Sequence, residues 1–254
     1  MAESLQSHQT GITFYKSSNT NPTININVHD EKDAFKSTQL KYLDNKTTGL
    51  DPGFDAGTFT AQSTSFSVYS HLVSNSNGVD FMLQSLPNND YENIIVPIGL
   101  NADSGKEITF SINHQNLPTG LMVFIEDIEN KTITRLDETN SNYKITLESN
   151  HNGIGRFYLR TSTTDLSKTL GVNDFNLNQV NIYMSSTRTL RISGLKDDTT
   201  NLIMYNILGK KVLNQKLEAN TIIDVAIPGH IKQGIYIIKL ETGKGNINKK
   251  ILLK

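Results

Sequence analysis

Cysteine and tryptophan are absent from this 254-residue chain, and aromatic residues make up only 7% of it. Without cysteine the chain has no disulfide bond, thiolate metal site or cysteine nucleophile, and cysteine usage cannot indicate its compartment. Without tryptophan it lacks the side chain best suited to stacking on sugar rings, although exposed tyrosines could substitute. These absences remove several classes of site.

Neither sign of charge predominates, because 24 Lys and Arg are matched by 25 Asp and Glu, for a net charge of -1. No bulk electrostatic field would therefore recruit nucleic acid or an anionic membrane. No stretch approaches the ~18 apolar residues of a membrane span, and the first residues lack the charged and apolar segments of a signal peptide. We interpret Met1-Ala2 as an added start and expect the native signal peptide to lie outside this sequence.

Familiar catalytic motifs are also missing. The chain has no GxSxG elbow and no HExxH motif, and GLNADSGK (99–106) has one residue too many between its glycines for a phosphate loop. Paired carboxylates of a glycosidase stay open as an alternative, since such residues can meet in space alone. We predict no enzyme activity, no catalytic residue and no required cofactor. The histidines are predicted to be single surface side chains: His8, His29, His71, His114, His151 and His230.

What the chain has instead is an abundance of Asn, Ser and Thr around short alternating apolar segments, a composition typical of an all-β fold. In TININVHD, Ile24, Ile26 and Val28 are predicted to point inward and the intervening asparagines outward. The other predicted strands of this first part are 66–69, 79–83, 94–98, 108–112, 121–125, 132–136, 143–147 and 156–159, the fifth and sixth forming a hairpin.

A second group of strands follows a polar segment at 161–179 in which no periodicity is sustained. The strand density after this segment is typical of a small antiparallel sandwich. We therefore predict two antiparallel β-sandwich domains in tandem, with a first domain at 1–162, a linker at 163–179 and a second domain at 180–254. Its seven predicted strands are 180–183, 189–193, 201–205, 211–215, 221–225, 234–240 and 246–253.

Three segments of the second domain carry a family resemblance: YNILGKKVL (205–213), GIYIIKL (234–240) and the lysine-punctuated final strand. Together they resemble the type A C-terminal sorting domain of the type IX secretion system of Bacteroidetes. The resemblance implies an immunoglobulin-like sandwich that is carried across the outer membrane. It also implies a secreted or cell-surface location, and as partners the type IX translocon, its shuttle proteins and a sortase-like surface protease.

The resemblance assigns a secretion signal to particular positions of this sequence. Members of the family usually have a Tyr-Pro-Asn-Pro-like turn near the first strand, whereas here Tyr183 is followed by Met184-Ser185-Ser186. From the residues alone, Gly209 is predicted to supply the positive φ of a tight turn. The assigned signal residues are Gly194, Leu195, Tyr205, Gly209, Lys210, Gly234, Tyr236, Lys239, Leu240, Lys249 and Lys250.

Residues 49–160 resemble, more weakly, a β-rich module found upstream of sorting domains in exported surface proteins. The resemblance supplies architecture and no activity. We expect 180–254 to act as the secretion signal and 1–162 as a structural or adhesive spacer. The alternative is a glycan- or calcium-binding module of an adhesin or polysaccharide-processing protein.

The calcium alternative depends on the loop GLDPGFDAG, where Asp51 and Asp55 lie four residues apart among glycines and a proline. Ca²⁺ takes six to eight oxygen ligands, so Glu126-Asp127 or 88–90 would have to complete the shell. The other interpretation is a turn whose aspartates bond their own backbone. Both interpretations stay open at this stage.

Overall fold

The computed structural model describes residues 20–31, 35–58, 65–168, 179–195, 200–218 and 220–254. These residues form eighteen strands and one short 3-10 turn, Leu166–Lys168, and none of their helices is long and apolar enough to cross a membrane. The all-β prediction is therefore confirmed. The strands are β1 (Thr23–Asp30), β2 (Phe35–Leu43), β3 (Ala56–Gly57), β4 (Ser67–Ser70), β5 (Phe81–Pro87), β6 (Ile95–Ala102), β7 (Glu107–Gln115), β8 (Met122–Asp127), β9 (Thr132–Arg135), β10 (Tyr143–Thr146), β11 (His151–Ser162), β12 (Asn181–Met184), β13 (Thr189–Ser193), β14 (Thr200–Asn206), β15 (Lys211–Leu217), β16 (Ile222–Ala226), β17 (Gly234–Thr242) and β18 (Gly245–Leu253).

The strands of residues 20–168, which we call the N-terminal region, belong to one continuous sheet in the order β10-β7-β1-β2-β5-β4-β6-β11-β8-β9, with β3 beside β5. One pair, β2 with β5, is parallel, whereas we expected antiparallel pairing. Strands β2 and β3 were not predicted from the sequence. The predicted hairpin is present as β8 and β9.

The two ends of this sheet pack against each other around one core. Phe110 of β7 contacts Phe157 of β11, with ring centroids 4.7 Å apart. Tyr143 of β10 donates a hydrogen bond to Asp127 of β8 at 2.8 Å. The inward residues predicted for β1, such as Ile24 and Ile26, are fully buried in this core. The single sheet thus encloses its own apolar interior.

Residues 179–254, which we call the C-terminal region, form two further sheets, β12-β13-β16 and β15-β14-β17-β18. Side chains from both sheets meet in one buried cluster that includes Leu190, Ile192, Met204 and Ile238. All seven strands predicted here are present, with bounds that agree to within two residues. The apolar pattern therefore located these strands along the chain.

Candidate functional site: the outer face of the C-terminal sheet

Strand β17 carries apolar side chains on both of its faces. Tyr236, Ile238 and Leu240 point into the core and are at most 7% exposed. Ile235 and Ile237 lie on the opposite face and are 46% and 37% exposed. The outward face thus exposes apolar area that ordinary packing would cover.

Neighbouring strands extend this exposed apolar area. Ile235 lies opposite Leu252 of β18, which is 54% exposed, and Ile237 lies opposite Tyr205 of β14. Residues paired across neighbouring strands share a face of the sheet. We call Tyr205, Ile235, Ile237 and Leu252 the outer apolar face. Lys250 is paired with Ile237 on the β18 side and places a positive charge at its border.

The turn between β14 and β15 presents two more apolar side chains to solvent. Ile207 and Leu208 are 76% and 86% exposed. The turn that carries them is well defined, because the Asn206 carboxamide oxygen accepts the N–H groups of Leu208 and Lys210 at 3.0 and 2.9 Å. Gly209 has a φ of 75°, the positive value predicted for it, and its N–H bonds the Asn206 carbonyl. Solvent-facing apolar residues on a constrained turn are typical of an interaction site.

Gly209 and Lys210 of this turn were among the predicted signal residues, whereas Ile207 and Leu208 were not. The available signal was the composition of the turn itself, since Ile-Leu stands where polar turn residues are usual. The two residues lie between the predicted strands 201–205 and 211–215, so the strand pattern gave them no role.

Lysines border the same sheet in different environments. Lys239 lies 2.7 Å from Glu241, and this hydrogen bond raises the pKa of the Lys239 ammonium while it lowers that of the Glu241 carboxyl. Partial burial lowers the pKa of Lys249, which lies on the inner side of edge strand β18. An inward charge on an edge strand disfavours unwanted strand pairing. Lys250 and Lys210 are exposed.

The eleven assigned signal residues do not form one cluster. Some are structural: Leu195, Tyr236 and Leu240 are buried in the core, and the Tyr236 hydroxyl bonds the Lys232 carbonyl at 2.7 Å. Gly194 lies at the contact with the N-terminal region. The assigned residues that remain accessible on the four-stranded sheet or its turns are Tyr205, Gly209, Lys210, Gly234, Lys239, Lys249 and Lys250.

Comparison with known proteins identifies this region. Residues 177–254 match the family model of the secretion system C-terminal sorting domain. The C-terminal region is a type IX secretion sorting domain. Such a domain indicates a protein exported to the cell surface or secreted, and implies interaction with the type IX secretion machinery. A search of curated proteins gave no match to the chain.

The sorting domain departs from the usual motif at 184–186, and the structure shows what holds its β12–β13 turn. The Ser185 N–H bonds the Thr189 carbonyl at 2.9 Å. The Arg188 guanidinium donates to three carbonyl oxygens of the segment that follows the neighbouring strand β16, those of Ile227, Pro228 and Ile231, at 3.2, 2.5 and 2.8 Å. These bonds fix the turn without the pre-set φ of proline.

A groove of about 440 Å³ lies between the edge strands β12 and β18. Ile182, Met184 and Ile251 contribute apolar walls, and Lys249 and Lys254 contribute positive charge. Within the described residues, each of these two strands has one hydrogen-bonded neighbour. The groove therefore combines the edges of two sheets with a basic border.

The candidate calcium loop uses its carboxylates for hydrogen bonds. Asp51 accepts the N–H of Thr47 at 2.8 Å, and Asp55 accepts the N–H groups of Asp51 and Ser85, both at 2.6 Å. These are the bonds that the turn interpretation predicts. In the described part of the chain no three His, Cys, Asp or Glu side chains are grouped to hold a metal. Calcium binding at Asp51 and Asp55 stays a prediction.

The other suggested ligands have structural partners elsewhere. Asp127 is fully buried and pairs with Arg156 at 2.9 Å. Glu126 is 1% exposed and accepts from Arg160 at 2.7 Å. In the loop at 88–90, the Asn88 carboxamide donates to Asp44. None of these contacts directs an oxygen at the Asp51–Asp55 loop.

The prediction that every histidine is a surface side chain is wrong for His71 and His151, which are 1% and 8% exposed. His8 lies outside the described residues. His71 bonds Asp80 through Nε2 at 2.7 Å and lies 3.4 Å from Ser76 through Nδ1. The hydrogen-bonded arrangement of serine, histidine and aspartate resembles a hydrolase triad. However, Ser76 is only 4% exposed and its oxygen accepts the Gly78 N–H, so we assign the group to structure.

Proposed function

We propose that the chain is the C-terminal part of an exported surface protein, in which 180–254 is the type IX secretion signal and 1–162 a structural or adhesive spacer. The observation that carries this proposal is the sorting-domain match at 177–254. The sorting domain adopts an immunoglobulin-like sandwich, a proposal supported by its sheets of three and four strands around one core.

We further propose that the outer apolar face and the tip residues Ile207 and Leu208 are the surface that the secretion machinery contacts. Burying one such side chain contributes roughly 1.5–3 kcal/mol. The exposed Lys250 and Lys210 beside this surface favour a partner with acidic groups at the rim. The shuttle proteins and translocon are the partners we assign to it, and a sortase-like protease the enzyme that acts afterwards.

For the N-terminal region we propose a spacer rather than an enzyme. The support is that its buried charged groups, such as Asp127 with Arg156, are engaged in ion pairs within the fold. The single sheet gives a stable body between the sorting domain and any preceding part of the protein.

A second candidate function, binding of a glycan or Ca²⁺, is favoured by one loop cluster. A cavity of about 460 Å³ is lined by Thr47, Leu50 and Val79, next to the Asp51 turn. Leu50 and Val79 of this lining are 58% and 50% exposed, which offers apolar surface to the face of a sugar ring. Titration calorimetry with Ca²⁺ and a glycan array with the full chain test this function. Saturable heats or a selective glycan signal are expected, and flat responses in both would exclude it.

Export itself is tested by placing residues 161–254 behind a signal peptide and a fluorescent protein in a bacterium with a type IX system. We expect fluorescence at the cell surface or in the medium. Ile207→Ser with Leu208→Ser should lower the exported fraction at least fivefold, because the machinery loses its apolar contact. Whole-cell and periplasmic fractions are compared by immunoblot.

The matched control, made in the same fusion, is Lys216→Ser with Glu218→Ser, which changes two exposed residues at the end of β15 away from the turn. It should leave export unchanged. Retention of the unsubstituted fusion in the periplasm would contradict the export signal. Normal export of the Ile207/Leu208 variant would contradict only the role assigned to the tip.

A further inference from the structure

The sorting domain and the N-terminal region share a buried contact. Tyr183 of β12 is 6% exposed and clusters with Tyr69 and Ile154 of the N-terminal region. Its ring also lies against His71, with centroids 5.5 Å apart. Aromatic residues packed in this way dominate the energy of many protein interfaces.

Glycines let the two backbones approach closely at this contact. A Cβ on Gly78 would lie 2.3 Å from the Tyr183 ring, and one on Gly194 would lie 2.6 Å from the Tyr158 hydroxyl. A Cβ on Gly155, in the bulge of β11, would meet the Thr221 carbonyl oxygen at 2.8 Å. Distances below 3.0 Å between such atoms are not tolerated, so this contact depends on glycine on both sides.

Buried polar groups are satisfied across the same contact. The Tyr158 hydroxyl donates to the Gln179 carbonyl at 3.0 Å, and the Gln179 carboxamide donates to Glu126 at 3.0 Å. Farther out, the Thr221 hydroxyl donates to Glu129 at 3.0 Å. Gln179 is 4% exposed and Glu126 is 1% exposed, so separation would break bonds formed in a dry environment.

These contacts have the components of a specific interface: an aromatic anchor, close backbone approach and paired buried polar groups. We propose that the N-terminal region is a docking partner of the sorting domain, and that the two stay associated without covalent connection after the chain between 168 and 179 is cut. The partner of this surface is the chain's own N-terminal region.

The docking also assigns different roles to the sides of the sorting domain. Tyr183 of β12 and Thr221 next to β16 contact the N-terminal region, and both strands belong to the three-stranded sheet. The outer apolar face lies on the four-stranded sheet and stays exposed. A cut in the connecting segment would therefore leave the sorting domain bound with its outer face accessible.

The test uses the full chain with a specific protease site inserted after Asn173. The folded protein is cleaved to completion under native conditions and applied to a size-exclusion column at micromolar and at nanomolar concentration. We expect both fragments to elute together at the volume of the intact chain. Separate elution at micromolar concentration would overturn the proposal.

Two glycines of the same bulge provide the matched variants. Gly155→Ala introduces a methyl group against the Thr221 backbone, whereas Gly153→Ala meets only ordinary contacts at 3.4 and 3.5 Å. Both have a similar positive φ, 121° and 128°, so backbone strain is shared. After cleavage, Gly155→Ala should raise the dissociation constant at least tenfold relative to Gly153→Ala. Equal constants would show that the fragments stay together for another reason, and would overturn the proposed interface.

Discussion

His151 begins β11 in a site that disfavours its charged form. Burial, with a contribution from Arg156, lowers the pKa of His151 from 6.5 to about 4. Its ring packs edge-on against Phe157 at 5.6 Å, and its Nε2 has no hydrogen-bond partner among the residues that the structure describes. The folded protein therefore holds this imidazole neutral under conditions in which the unfolded chain protonates it.

This difference predicts a specific loss of stability in mild acid. Because the pKa is lower in the folded state, the unfolded state alone gains a proton as the pH falls from 6.5 towards 4. A difference of about 2.5 pH units corresponds to about 3 kcal/mol of unfolding free energy lost across that window. His151→Gln should remove this part of the slope, as measured by urea unfolding at pH 7 and pH 4.5. An unchanged slope in the variant would contradict the assignment, and His114→Gln, at an exposed site, is the control.

Charged residues illustrate what residue patterns can and cannot predict. Asp127 and Arg156 are 29 positions apart and form a fully buried pair in the fold. No local spacing indicates such a partner, because the pairing of β11 with β8 brings the two together. The same holds for His71, whose partner Asp80 lies across a loop. The surface assignment failed there because burial depends on tertiary packing.

At the scale of elements, strands with a dense apolar pattern were predictable and others were not. The seven strands of the sorting domain are rich in apolar residues, and their predicted bounds lie within two residues of the observed ones. Strand β2 was missed although it pairs with β1 along seven positions. Its sequence, FKSTQLKYL, buries only Thr38, Leu40 and Tyr42, so its apolar signal is weak. The short β3 has no pattern at all.

The parallel pair of β2 and β5 could not be predicted for a different reason. Parallel pairing requires a crossover connection, and strand pattern alone does not show which strands become neighbours. Here the connection includes β3 and β4, which both pair with β5. The outer apolar face could not be predicted for the same reason. Both faces of β17 are apolar, and only the fold shows which of them another sheet covers.

At the scale of the whole molecule, the contact around Tyr183 joins the sorting domain to the N-terminal region, which lies outside the family match at 177–254. An export signal that only needed to be a free tail would not require three glycines and a buried hydrogen-bond network at its start. A substitution in one region is thus expected to change the local stability of the other.

This coupling predicts that a substitution in the N-terminal region changes local opening in the sorting domain. Gly78→Ala combines a positive φ of 78° with a clash against Tyr183, whereas Gly120→Ala has a φ of 83° and open space around the new methyl group. Both substitutions introduce a similar backbone strain of about 1 kcal/mol. Only Gly78→Ala also clashes with Tyr183, so only this variant should loosen the docked strands. Hydrogen exchange of peptides covering 181–193, followed by mass spectrometry, should be about fivefold faster in Gly78→Ala than in Gly120→Ala. Identical exchange in the two variants would show that the sorting domain opens independently of the region on which it rests.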